Sequence, residues 1–363
     1  MLKNIGKKVA KFLISLYQIL KWRLTSETNK VGKTAFVFKC SKWKQEVLSN
    51  YFPHHHLKFV PFDSKIWMLK YYIEKFENPE FIVWGFQEED NITKYASENN
   101  IQIYRVEDGF IRSADLGSNH ALPFSLCIDK TGLYFDSTKH NDLETLLNTY
   151  DFNNPKLLEE SKKCIGMLKK LRVSKYNHIQ SKDIKLVYGK KVKKRILVIG
   201  QVEDDASIIK GCSRKLNNND LVRIAKKENP DAEIIYKPHP DVLAGNRTYH
   251  SDPTDIEDIA KVIKEPLNLV DALETIDRVY TITSLSGFEA LLRGIPVTTI
   301  GAPFYSGWGL TDDRQIVTRR KRKLTIEELF AGAYILYPTY INPYTKENFS
   351  LRKTIITLAK KHI

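Results

Sequence analysis

From residue 34 onward the chain alternates short apolar runs with amphipathic stretches. Thr34–Phe38, Phe81–Trp84, Ile101–Val106 and Ser125–Ile128 read as strands, and residues 64–76 and 92–99 as the helices between them. A lysine-rich helical stretch over roughly 155–180 and a basic linker, Lys190–Arg195, follow. The alternation then restarts with Arg195–Ile199, Glu233–Tyr236, Arg278–Ile282 and Val297–Ile300, separated by helical periodicity near 218–228, 255–263 and 286–293. Continuous apolar strands alternating with helices predict doubly wound, mostly parallel sheets, here in two successive α/β domains. Helical patterns at 325–334 and 349–361 end the chain, the first opened by Thr325 with Glu328 three residues later, a capping box.

The first 24 residues follow another pattern. Ile5, Val9, Phe12, Leu13, Leu16 and Leu20 recur at three- and four-residue spacing with lysines between them, and Tyr17 and Trp22 suit an interface. Two readings fit: a basic amphipathic helix lying on an anionic bilayer, or a helix packed on the first domain. The segment is too often interrupted by lysine to span a membrane, and no small-residue cleavage site follows it.

Composition narrows the class. A length of 363 residues with 42% hydrophobic content supports two cores. Lys and Arg total 57 against 43 Asp and Glu, a formal charge of +14, which calls for an anionic partner. Residues 1–24 supply six cations before the first acidic residue, Glu27. The basic residues lack the aromatic interleaving of single-strand-binding surfaces, so nucleic acid is set aside. Cys40, Cys127, Cys164 and Cys212 are scattered with no CxxC pair, which fits reduced thiols in the cytoplasm and suggests no zinc site.

Ligands of open parallel sheets bind beyond the carboxyl ends of the strands, so the polar residues following each run are the candidates. In the second half these are Gly200-Gln201-Val202-Glu203-Asp204-Asp205, Lys237-Pro238-His239-Pro240-Asp241 and Thr283-Ser284-Leu285-Ser286-Gly287. Ser284, Ser286 and Gly287 open a predicted helix, either as a simple N-cap or, with Lys237 and His239 at neighbouring strand ends to neutralise it, as a site whose free N–H groups suit a phosphate. Glu203, Asp204 and Asp205 read as metal ligands, as a nucleophile or base, or as an acidic helix N-terminus. In the first half, within Val106–Ser113, Glu107 and Asp108 with Arg112 close by form a plausible acid/base centre or a turn with an internal salt bridge. The glycine-rich Tyr305–Thr311 reads as a loop shaped around a ligand.

Together these segments resemble the bacterial capsule polysaccharide β-Kdo transferases. The matching stretches are Glu107–Ser113 with Leu116-Gly117-Ser118, Gly200–Ile208, Lys237–Asp241, Thr283–Leu291, Gly301–Thr311 with Asp312-Asp313-Arg314, and Ala331–Tyr340. The resemblance implies a GT-B fold: an acceptor domain over 25–185, a CMP-sugar domain over 186–335 and a helical tail over 336–363. It also implies CMP-Kdo as donor, with retention through a covalent intermediate on Asp205 or, failing that, Asp204. Glu107 would act on the acceptor hydroxyl near Asp108, Arg112 and Ser113. Lys237, His239, Ser284, Ser286 and Gly287, with Gln201 nearby, would hold the phosphate of CMP, and Glu289 its ribose. A single phosphate and a carboxylate can be neutralised by basic side chains, so no metal or cofactor is expected. The implied partners are CMP-Kdo, a lipid-linked or Kdo-terminated acceptor, the inner face of the cytoplasmic membrane and other capsule-assembly proteins. Many members carry two catalytic modules, and this length has room for one. A sialyltransferase-like CMP-sugar enzyme and a non-catalytic assembly module are the competing readings.

Overall fold

The computed structural model describes residues 13, 14, 16–24, 32–88, 90–114, 120–175, 177, 179–248 and 250–360. Ile5, Val9, Phe12 and the Leu116-Gly117-Ser118 stretch lie outside them.

Helix α1 (16–24) precedes β1 (Lys33–Phe38), α2 (Lys42–Tyr51), β2 (His55–Phe59), α3 (Ile66–Ile73), β3 (Glu80–Trp84), α4 (Asp90–Glu98), β4 (Ile103–Asp108) and β5 (Ser125–Asp129). Helices α5 (Asp142–Thr149), α6 (Pro155–Lys170) and α7 (Ile184–Tyr188) lead to the second half. There the order is β6 (Arg195–Ile199), α8 (Ala206–Gly211), α9 (Asn218–Glu228), β7 (Glu233–Lys237), α10 (Pro240–Leu243), β8 (Lys261–Val262), α11 (Leu269–Ala272), β9 (Arg278–Thr281), α12 (Leu285–Leu292), β10 (Val297–Thr299) and β11 (Asp312–Asp313). The chain ends with α13 (Ile326–Phe330), a π-helical continuation (Ala331–Leu336), β12 (Pro338–Tyr340) and α14 (Leu351–Lys360).

The second sheet, ordered β11-β10-β9-β6-β7-β8, is parallel throughout. All five residues of β6 are buried, as a strand covered by helices on both faces requires. The first sheet, β12-β5-β4-β3-β1-β2, is parallel from β2 to β4 and then reverses. Strand β5 pairs antiparallel with β4, joined by a connection in which no described helix occurs. Each sheet reverses strand order once, between β1 and β3 and between β6 and β9. Two such domains form the GT-B fold that the resemblance implied.

Three local expectations differ. The helix expected over 255–263 is a 3-10 turn, Pro253–Ile256, followed by edge strand β8, because pairing of Lys261 and Val262 with β7 outweighs the helical spacing of the isoleucines. The long helix expected to 180 stops at Lys170, and Arg172 adopts a left-handed φ of 54°. Strand β2 escaped notice because His55–Phe59 has no apolar run. The final segment also returns to the first domain: β12 pairs antiparallel with β5, and α14 packs against α6.

Buried side chains of both halves merge in one hydrophobic core. Phe110 is central to it, with ring centroids 4.6 Å from Phe304, 4.7 Å from Tyr134 and 5.1 Å from Tyr334. Polar ties reinforce the seam. The buried Glu144 of α5 accepts from Arg319 Nε at 2.6 Å and from buried Arg320 Nε at 3.3 Å.

Candidate active site

Strand β4 ends in Glu107 and Asp108. Burial, then the neighbouring Asp108 charge, pushes the Glu107 carboxyl up to about 7, while the Asp108 N–H and the cations Lys175 and Lys44 pull it down. Its Oε1 accepts from the Asp108 backbone N–H at 2.9 Å. Asp108 Oδ2 accepts from Arg112 Nε at 2.6 Å, and Arg112 also donates from Nη1 to Ser113 Oγ and to the Ala121 carbonyl, both at 2.8 Å. Arg112 and Ser113, expected to face the acceptor, are buried in this clasp, so they hold the turn that presents Glu107. The internal salt bridge is therefore real.

Two cations that the sequence reading passed over join Glu107. Lys44 lies in the first turns of α2, 3.7 Å above the Trp84 ring, and burial lowers its pKa while Asp108 and Glu107 raise it. The strand-end rule applied to β1 would have found it, because Lys44 stands six residues past Phe38. Lys175 had no such signal: it follows α6 in an irregular segment. That segment is stitched to both domains, with Ser174 Oγ and the Lys175 N–H donating to Glu289 Oε1 at 2.7 and 3.3 Å, and Asn177 Nδ2 donating to the Ser113 carbonyl at 3.2 Å. The Lys175 charge acts on Glu107 from one domain and on His239 from the other.

On the opposing domain β7, β6 and β9 are neighbours, so their carboxyl ends stand side by side, β7 and β9 about 10 Å apart. Gln201, after β6, is buried and donates from Nε2 to Thr283 Oγ1 at 3.0 Å while its Oε1 accepts the Thr283 N–H at 2.8 Å. Its amide thus ties the ends of β6 and β9 together. Lys237 closes β7 in a buried position, where desolvation lowers its pKa to about 8. His239 caps α10, its Nδ1 accepting the Asp241 N–H at 3.2 Å, and burial lowers its pKa to about 4 despite the nearby Asp241. At neutral pH the imidazole is therefore uncharged with its proton on Nε2, a hydrogen-bond donor. Of the two strand-end residues, Lys237 and not His239 is therefore the cation.

Ser284 caps α12, its Oγ accepting the Ser286 N–H at 3.2 Å. Gly287 is buried on the inner side of that helix, where a β-carbon would collide with the Tyr305 hydroxyl, which donates to the Ser284 carbonyl at 2.5 Å. Gly287 therefore serves packing. Glu289 is buried too, with Oε2 lacking a hydrogen-bond partner. Tyr305, Ser306 and Trp308 are fully buried, so the aromatic side chains of the Tyr305–Thr311 loop pack into the core, while Gly309 is exposed.

The acidic run splits three ways. Glu203 Oε1 accepts the Asn218 N–H and the Ser251 hydroxyl, both at 2.6 Å. Asp204 is exposed, 3.8 Å from His250 Nε2. Asp205 is exposed at the head of α8, where it caps Ser207 N–H at 2.8 Å, and its charge reaches His239. Among the described residues no three His, Cys, Asp or Glu side chains gather as metal ligands.

Residues 80–342 match the family described as capsule polysaccharide biosynthesis protein. The chain is 43% identical to the lipopolysaccharide-processing protein LpsZ of Rhizobium meliloti, over 93% of this chain and 76% of that protein. It is 38% identical to the capsule polysaccharide modification protein LipA of Neisseria meningitidis over 92% of its own length, and spans 47% of LipA. Among solved structures it superimposes on the β-Kdo 2,4 transferase of Thermosulfurimonas dismutans KpsC with a TM-score of 0.75 and 33% identity, covering 89% of this chain and 97% of that one. The β-Kdo 2,7 transferase of the same protein gives 0.73 and 31%, covering 91% and 100%. This chain accordingly belongs to the capsule polysaccharide biosynthesis protein family, with the GT-B fold of its β-Kdo glycosyltransferases.

Proposed function

We propose that the chain transfers Kdo from CMP-Kdo to a lipid-linked or Kdo-terminated acceptor, with retention of configuration, at the cytoplasmic face of a membrane. The observation that carries this reading is the pairing of a carboxyl held near neutrality on one domain, Glu107, with a phosphate-suited set, Lys237, His239 and the α12 N-terminus, on the other. In the first step an Asp205 carboxylate oxygen attacks the anomeric carbon. The bond to the phosphate oxygen breaks and CMP leaves with the electron pair, stabilised by the Lys237 ammonium and the His239 Nε2–H. In the second step Glu107 takes the proton of the acceptor hydroxyl as its oxygen displaces Asp205. Two inversions restore the donor's configuration. Asp204 is the alternative nucleophile, one residue away.

Mass spectrometry after incubation with CMP-Kdo tests the covalent step: the expected product is a Kdo adduct on the peptide containing Asp204 and Asp205, absent in Asp205→Asn. Full transfer by Asp205→Asn would move the step elsewhere. CMP-sialic acid in a parallel incubation distinguishes the donor. Because one phosphate is served by Lys237 and a helix N-terminus, EDTA should leave transfer intact, and loss restored by magnesium would refute that part.

A further inference from the structure

Helix α1 carries two apolar faces. Ile19 is fully buried among Phe36, Phe38 and Tyr72, and Trp22 meets the Tyr72 ring edge-on at 5.2 Å. Arg23 donates to the Met68 carbonyl, which fixes α1 beside α3. A helix packed on its own domain needs only that face. Yet Leu13, Tyr17, Leu20 and Leu24, spaced four, three and four residues apart, form a second stripe on the opposite side, and all are exposed, Leu24 at 88%. On the neighbouring α3, Trp67 and Tyr71 one turn apart are also exposed, at 54% and 66%. Eight of the fifteen exposed large hydrophobic side chains among the described residues are Leu13 and Ile14 just before α1, five on α1 and α3, and Phe62 in the turn before α3. Such clustering marks an interaction surface, whereas the remainder are scattered.

The surrounding charge selects the occupant. Lys21, Arg23, Lys65 and Lys70 accompany the stripes against Asp63 and Glu74, and four more lysines precede α1 in sequence with no acidic residue among them. Tyrosine and tryptophan among leucines, framed by lysine, is the composition that seats at a headgroup boundary. We propose that the outer faces of α1 and α3 together form the surface that docks the enzyme on an anionic bilayer, the N-terminal domain down. This deepens the membrane part of the function proposed above and is independent of the transfer chemistry.

Sedimentation of the full chain with phosphatidylcholine vesicles, and with vesicles containing equal parts of phosphatidylglycerol, tests it without any sugar donor. The wild type should sediment with the anionic vesicles alone. Leu20→Ser/Leu24→Ser and, separately, Trp67→Ser/Tyr71→Ser should each lower that partitioning about tenfold or more, with unchanged melting and unchanged transfer to a soluble acceptor. Wild-type chain that ignores anionic vesicles overturns the proposal, as does binding that survives the α3 pair. A dimer seen by light scattering that both pairs dissociate, without vesicle binding, would reassign the face to a second copy of the chain.

Discussion

Glu107 concentrates the chemistry at a single carboxyl. Because its proton is held up to about 7, the rate of transfer should rise with pH through that value as the base ionises, and Glu107→Gln should abolish the rise along with most activity. Its effect on stability has the opposite sign. Between the ordinary carboxyl pKa and 7 the native state binds the extra proton, so stability falls as pH rises across that window and then levels. Glu107→Gln should flatten this part of the melting-temperature curve, which checks that the carboxyl titrates in this window. His239, lowered to about 4, should contribute no ionisation to the rate between pH 5 and 8. A rate fall near pH 6 that vanishes in His239→Gln would contradict the neutral-donor role. Both motifs were legible in the sequence, since each follows an apolar run. The protonation states were not, because they come from burial and from neighbours such as Lys175 that are distant along the chain.

Elements decide which of the expected residues reach the cleft. Arg112 and Ser113, for which the resemblance implied acceptor contacts, are held in the clasp behind Glu107, and Gly287, expected at a phosphate from its helix-start position, faces Tyr305. Gly287→Ala should cost about 1–3 kcal/mol in denaturant unfolding through overpacking against Tyr305, whereas a neutral result would reopen Gly287 as a pure ligand contact. The α5 seam gives a larger effect. Removing the buried Glu144 takes from buried Arg320 its ion-pair partner, so Glu144→Ala should lose about 3 kcal/mol, seen as a lowered midpoint in urea. Helix periods with caps, such as α9 and α13, were readable at the sequence level. Edge strands β2, β8 and β12 were not, since two to five residues acquire strand geometry only from the neighbour they pair with.

The whole molecule sets two domains with their strand ends across a cleft, locked by a shared aromatic core at Phe110 and by the return of β12 and α14 to the first sheet. Local pattern determined the alternation of strands and helices, the doubly wound class and the candidate residues at strand ends, because these depend on period and burial along the chain. Tertiary structure alone decided that the Lys175 charge acts on both Glu107 and His239, that Tyr305 and Trp308 pack into the core, and that α1 keeps a second apolar face outward. Those outcomes depend on which surfaces meet, and residues far apart in sequence settle that through packing.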